Sequence, residues 1–170
     1  METAMHGFWH SSFWQDWEST LIAAGGVTIL AGAGASLTTI GAWYENLRKP
    51  SWQPPNWMFP LAWTSIFILE AAAAVIGWKS GDRWTMIGAF IVNGVFNILW
   101  SAYFFKLRRP DWALREVPFL WLSVVAMMVA VAVHAGPAWC LLIPYLLWVS
   151  FATLLNWKIV QLNAPFTVPA

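Results

Sequence analysis

Five apolar stretches, at residues 19–42, 57–78, 83–105, 111–134 and 138–161, decide what this chain can fold into. Each holds about the 20 residues that a helix needs to cross a hydrocarbon layer roughly 30 Å thick. The breaks at Lys79-Ser80-Gly81-Asp82 and Ala135-Gly136-Pro137 are long enough only for antiparallel returns. The expected fold is therefore an all-α membrane protein, a five-transmembrane-helix bundle of up-down topology in which sequence neighbours pack side by side. Charged residues make up 10% of the chain, against about a quarter in soluble domains. That leaves too few to solvate a surface, and lipid is the natural solvent. Five spans also rule out a two-fold inverted repeat over the whole chain, which weakens a secondary-transporter reading.

Lys and Arg near the span ends set the expected orientation. Arg48, Lys49, Lys106, Arg108, Arg109, Arg115 and Lys158 gather on one side, and only Lys79 and Arg83 on the other. The richer side, with the C-terminus, is expected to be cytoplasmic and the N-terminus outside. A net charge of +1 with no basic run argues against a nucleic-acid partner. Residues 1–18 form no span, and they lack the basic start of a cleavable signal peptide. Trp9, Phe13 and Trp17 recur at i, i+4 and i+8, so this extension is expected to be interfacial or disordered. His6 and His10 share the spacing but have no third ligand, and no metal site is expected. Residues 19–163 make the membrane domain and 164–170 a tail. The lone Cys140, in Trp139-Cys140-Leu141-Leu142, reads as a buried, inert thiol.

The connection between the first two spans differs from the others. It reads Trp43-Tyr44-Glu45-Asn46-Leu47-Arg48-Lys49-Pro50-Ser51-Trp52-Gln53-Pro54-Pro55-Asn56-Trp57. Its prolines fix φ and push the preceding residues out of helical geometry, so the segment is stiff. Its aromatics are too many for a solvated linker. A Pro/Trp-rich lid over the bundle mouth is the expectation, with an interfacial aromatic belt as the plainer alternative.

The spans carry stripes that point the same way. Trp63, Phe67 and Glu70 share a face of the second; Asn93, Asn97, Trp100, Ser101 and Phe104 share one on the third; Tyr145, Trp148, Ala152 and Asn156 share one on the fifth. Polar groups facing lipid are costly, so the stripes are expected to point inward and to line a largely apolar pocket. Glu70 reads either as a ligand-orienting or proton-linked group or as a protonated carboxyl bonded to a neighbouring helix. His134, at the end of the fourth span, reads as an interfacial residue rather than a haem ligand.

These residues form motifs that resemble a known family, the translocator protein and tryptophan-rich sensory protein (TspO/MBR) family. They are Trp43-Tyr44 with Leu47-Arg48-Lys49-Pro50-Ser51-Trp52-Gln53-Pro54-Pro55, then Trp63-Thr64, Phe96-Asn97-Ile98-Leu99-Trp100-Ser101 with Phe104-Phe105, and Ile143-Pro144-Tyr145-Leu146-Leu147-Trp148 with Ala152, Leu155 and Asn156. The resemblance covers residues 20–163 and implies a five-helix bundle, usually a homodimer in the lipid bilayer. It implies binding of porphyrins such as protoporphyrin IX, haem, and sterol-like or synthetic ligands, with no obligatory cofactor. Carried over by position, the implied ligand-binding set is Tyr44, Pro54, Phe59, Trp63, Phe67, Asn97, Trp100, Trp148 and Ala152. The sterol-recognition pattern of animal members departs here: Leu154-Leu155-Asn156-Trp157-Lys158 has Trp for the central Tyr. The resemblance therefore favours a bacterial porphyrin or sensory role over sterol transport.

The expected function is a membrane receptor or sensor in which Trp63, Trp100 and Trp148 stack on a porphyrin ring while Arg48 or Lys49 pairs with its carboxylates. The sequence holds no Ser-His-Asp set, metal cluster or phosphate loop, which argues against hydrolytic or metal chemistry. The alternatives are light-dependent porphyrin breakdown, with Trp63 and Trp148 as candidate electron donors, and transport of a porphyrin, sterol or lipid. Gly32 with Ser36, and Ala89 with Asn93, are small or polar pairs that suit either a dimer contact or, equally well, internal packing. Trp9, Trp78 and Trp139 read as interfacial.

Overall fold

Apolar stretches surrounded by lipid must bond their backbone internally, and the helix does so within a single segment. The computed structural model describes residues 2–80 and 82–166, and the helical backbone alone for residues 2–16. Side chains of His6, Trp9, His10 and Phe13 thus lie outside the described residues. Every regular element among the described residues is helical: α1 (Glu2–Leu37), α2 (Ala42–Asn46), α3 (Met58–Ser80), α4 (Arg83–Ser101), α5 (Pro110–Ala135) and α6 (Ile143–Asn163). A π-helical turn (Ala102–Lys106) extends α4, and a 3-10 turn (Gly136–Leu142) joins α5 to α6.

The ends of the helices follow from local chemistry. α1 stops at Leu37, five residues short of the expected 42. Thr38, Thr39 and Ile40 are β-branched and disfavour the helix, and Thr38 N–H closes back on Gly34 O at 3.0 Å. Asp82 caps α4: its carboxylate accepts from Trp84 N–H at 2.9 Å and from the Thr85 hydroxyl at 2.7 Å. Pro110 begins α5, where its missing N–H costs nothing, and the Arg109 guanidinium donates to Asp111 at 2.7 Å beside it. Gly136, with φ +55°, ends α5 in a conformation only glycine adopts freely. The fifth apolar stretch then starts as a 3-10 turn rather than an α-helix. With three residues per turn, Trp139 packs inward and Leu142 is buried, while Cys140 is turned outward and exposed. The expectation of a buried thiol is corrected by that change of period.

Three apolar layers stack along the bundle. Tyr44, Phe104, Ala113, Leu155 and Ile159 form one end, Ile66, Leu120, Val124, Tyr145 and Val149 the middle, and Ala73, Met86, Met127, Val131 and Leu142 the other end. α5 contributes to all three and packs on α3, α4 and α6; α1 lies against α3 and α4. The outer faces are apolar too: Ile29, Leu61, Ile68, Ile91, Leu122, Val133, Leu147 and Leu154 are exposed. So broad an apolar surface suits lipid and not water. Four helical stretches are long and apolar enough to cross a membrane: Trp17–Leu37, Met58–Ser80, Arg83–Lys106 and Pro110–Asn163. The chain is an integral multi-pass membrane protein.

Two outcomes are expected from this packing. A Cβ added at Gly77 would lie 2.7 Å from Met86 Sδ, whereas Gly88 faces open space. Gly77→Val should therefore lower stability by about 1–3 kcal/mol and Gly88→Val by less than about 0.5 kcal/mol, read as thermal unfolding in detergent. The donors on Asp82 hold its carboxyl below the usual carboxylate range. A depressed folded value gives stability that is full above the unfolded value, about 3.9, and is lost as pH falls through the folded one. Asp82→Ala should thus melt earlier than wild type at neutral pH, and the gap should close in strong acid.

Candidate functional site

Between α1, α3, α4, α5 and α6 lies a cavity of about 440 Å³ that Tyr44 of α2 and Asn56 also line. α3 presents Phe59, Trp63 and Phe67 to it at four-residue spacing, one face of a helix. α4 adds Asn97, Trp100 and Ser101, and α6 adds Trp148, Val149 and Ala152. Ala31, Gly34 and Ala35 of α1 line it with small side chains or none. Of the implied ligand set, Tyr44, Phe59, Trp63, Phe67, Asn97, Trp100, Trp148 and Ala152 all line this cavity; Pro54 does not. Pro54 is half-buried, two residues before Asn56.

The aromatic side chains brace one another. Trp63 meets Trp148 edge to face with ring centroids 6.5 Å apart, and Phe59 meets Trp148 at 5.7 Å. On the far wall Trp100 stacks on Phe104 at 5.2 Å. Such pairs contribute about 0.5–1.5 kcal/mol each beyond the area they bury, so the indoles hold fixed orientations. The π-helical turn explains a feature the stripes missed. In it Leu107 N–H bonds Ala102 O at 2.9 Å, one residue further back than in an α-helix, and the wider turn brings both Phe104 and Phe105 to the cavity. Turns of this type gather at functional sites.

Behind the aromatic wall runs a buried polar chain. Asn97, which lines the cavity, donates to the Tyr145 hydroxyl at 2.9 Å; Tyr145 donates to Asn93 Oδ1 at 3.1 Å. Asn93 in turn donates to the Ser123 hydroxyl at 2.9 Å, and Ser123 to Leu120 O at 2.7 Å. Asn93 and Tyr145 are 0% and 1% exposed. Asn156 fits its amide to the first turn of α5, donating to Pro110 O at 3.1 Å and accepting from Leu114 N–H at 3.2 Å. These bonds fix α4, α5 and α6 relative to one another. They also put Asn93 to use inside the chain, and Ala89 packs on its core, so internal packing accounts for that pair.

Glu70 is buried at 2% exposure, yet it does not line the cavity, and its Oε2 meets no hydrogen-bond partner among the described residues. Sequence reasoning passed over Glu116, whose two carboxyl oxygens are likewise buried without partners. It lies on the face of α5 that carries Leu120 and Ser123, a stripe visible in the spacing. Neither Arg48 nor Lys49 lines the cavity, but the Lys49 ammonium sits over the Tyr44 ring, 4.1 Å from its centre. Burial pushes the Tyr44 phenol up, and the Gln53 amide, donating to its oxygen at 3.3 Å, opposes the shift. Tyr44 therefore stays neutral at physiological pH. His134 is half-buried at the end of α5. Among the described residues no three His, Cys, Asp or Glu side chains gather as a metal site would require.

Comparison with known proteins adds independent findings. The profile of the TspO/MBR family matches residues 19–162. The chain is 41% identical to the tryptophan-rich protein TspO of Chlorobaculum tepidum over 85% of its own length and 96% of the relative's. It is 40% identical to the tryptophan-rich sensory protein of Cereibacter sphaeroides, covering 81% and 90%. To the translocator protein of Bos taurus it is 34% identical, covering 71% and 75%.

Tyr145→Phe removes the hydroxyl that Asn97 and Asn93 share. It should destabilise the bundle by about 1–2 kcal/mol, and Asn93→Ala made on top of it should cost less than Asn93→Ala alone. Additive losses in that double-mutant cycle would show that the two residues do not interact.

Proposed function

We propose, because the chain belongs to the TspO/MBR family and encloses a tryptophan-lined cavity, that it is a membrane receptor for porphyrins such as protoporphyrin IX and haem and for related apolar ligands, and that it regulates tetrapyrrole metabolism or a stress response. The observation that carries this reading is the placement of Trp63, Trp100 and Trp148 around one cavity. Indole faces suit a flat apolar ring, and the volume suits a drug-sized ligand with a few orienting polar groups. Asn97 and Tyr44 supply those groups. Lys49, above the Tyr44 ring, brings a cation to the end of the cavity where a ring carboxylate would emerge.

The membrane topology that goes with this reading has five passes. Pro110–Asn163 is 54 residues long, about 81 Å of helix at 1.5 Å per residue, against a hydrocarbon layer of about 30 Å. The glycine turn at Gly136 divides it into two passes. The Lys and Arg bias then puts the N-terminus outside and the C-terminus in the cytoplasm. The segment from α2 to α3 acts as the lid. A homodimer would meet through outer helix faces, since Ala89 and Asn93 are used internally.

Titration of the purified protein with protoporphyrin IX should shift the porphyrin absorption and quench tryptophan fluorescence at micromolar ligand. Trp148→Ala should weaken binding about tenfold, while Trp157→Phe, at an exposed position, should bind as wild type does. A flat titration of the wild-type protein would overturn the assignment.

A further inference from the structure

We propose that Asn163 is a latch: it ties the segment between α2 and α3 to the end of α6 and so sets how fast a ligand enters and leaves the cavity. The inference rests on the binding reading above, because it concerns traffic through the same cavity.

The tie is a reciprocal pair of hydrogen bonds between residues far apart in sequence. Arg48 N–H donates to Asn163 Oδ1 at 2.8 Å, and Asn163 Nδ2 donates back to Arg48 O at 2.8 Å. The same Nδ2 donates to Ile159 O at 2.8 Å, which fixes the amide on the last turn of α6. A carboxamide presents a donor and an acceptor side by side, and here both are matched by the N–H and C=O of a single residue. Aspartate would keep the acceptor and lose the donor. Alanine would lose both.

What the tie holds makes it a gate. Arg48 lies one residue past Leu47, the C-cap of α2, and two before Pro50, where the stiff proline-bearing stretch begins. With φ fixed at Pro50, Pro54 and Pro55, a hold at Arg48 is carried along the segment instead of being absorbed by it. Cavity walls stand on both sides of that stretch, Tyr44 before it and Asn56 and Phe59 after it. Further on, the Trp52 ring leans on Phe151 of α6, centroids 5.8 Å apart, so the segment touches the same helix twice. Lifting it would uncover the end of the cavity, and the Asn163 bonds would have to break first. Asn163 itself does not line the cavity, so replacing it loosens the closure and leaves the binding surface unchanged. The expected signature is therefore kinetic: faster arrival and faster departure with little change in affinity.

The test uses the full chain in detergent or nanodiscs, with Asn163→Ala and Asn163→Asp. Two readouts are taken: amide hydrogen exchange over residues 47–57 without ligand, and stopped-flow rates with protoporphyrin IX. In Asn163→Ala, exchange in the segment and both porphyrin rate constants should rise about fivefold, with the dissociation constant changing less than about twofold. Asn163→Asp should fall between this variant and wild type, and it carries the test if the alanine variant does not fold. Unchanged exchange and unchanged rates in a folded variant would overturn the latch. So would weaker binding with no faster association, the mark of a damaged site. If wild type binds no porphyrin yet exchange over 47–57 still accelerates in the variants, the tie stands and the binding reading falls.

Discussion

A polar group inside a lipid-embedded bundle has no water to turn to, and the hydroxyl of Tyr145 is where this chain meets that constraint. It accepts from Asn97 and donates to Asn93, and Asn93 passes the chain to Ser123. Three helices are thereby held in one register, which apolar contacts alone would not specify, since side chains of similar shape can slide past one another. The network also reaches the cavity through Asn97, so that cavity wall is the outer face of the unit that locks the helices. Among the described residues Gln53, Glu70 and Glu116 are the exceptions to full satisfaction, and all three lie off the cavity wall.

Much of this was legible in the sequence because the cost of a polar residue in an apolar stretch is large and one-signed. Asn93, Asn97, Ser101, Tyr145 and Asn156 had to turn inward, and all are buried. The aromatic faces of α3 and α6 followed from helical spacing, which the backbone obeys in mid-span. What escaped the sequence sits where that spacing changes. The π-helical turn brings Phe105 beside Phe104, and the 3-10 turn rotates Cys140 to the surface. The end of α1 moved because three β-branched residues compete with the helix, an effect too weak to locate within an apolar run. The Asn163 tie joins two segments 115 residues apart, and no local pattern encodes such a meeting.

The cavity is thus bounded by parts of unlike character. Its α3, α4 and α6 walls are braced aromatics and a hydrogen-bonded core, set by the fold as a whole. Beside them lie a short helix and a stiff turn, held by a few directional contacts with Tyr44, Phe151 and Asn163. On the latch proposal, the first group sets shape and the second sets access.

The α1 wall has its own consequence. Ala31, Gly34 and Ala35 face the cavity with almost no side chain, and a Cβ on Gly34 would touch nothing within 4 Å. Capacity on that side is therefore limited by how near a backbone can come, and added methyl groups would subtract directly from the cavity volume. An engineer wishing to narrow the chamber by small steps would begin on α1, where the fold gives most latitude.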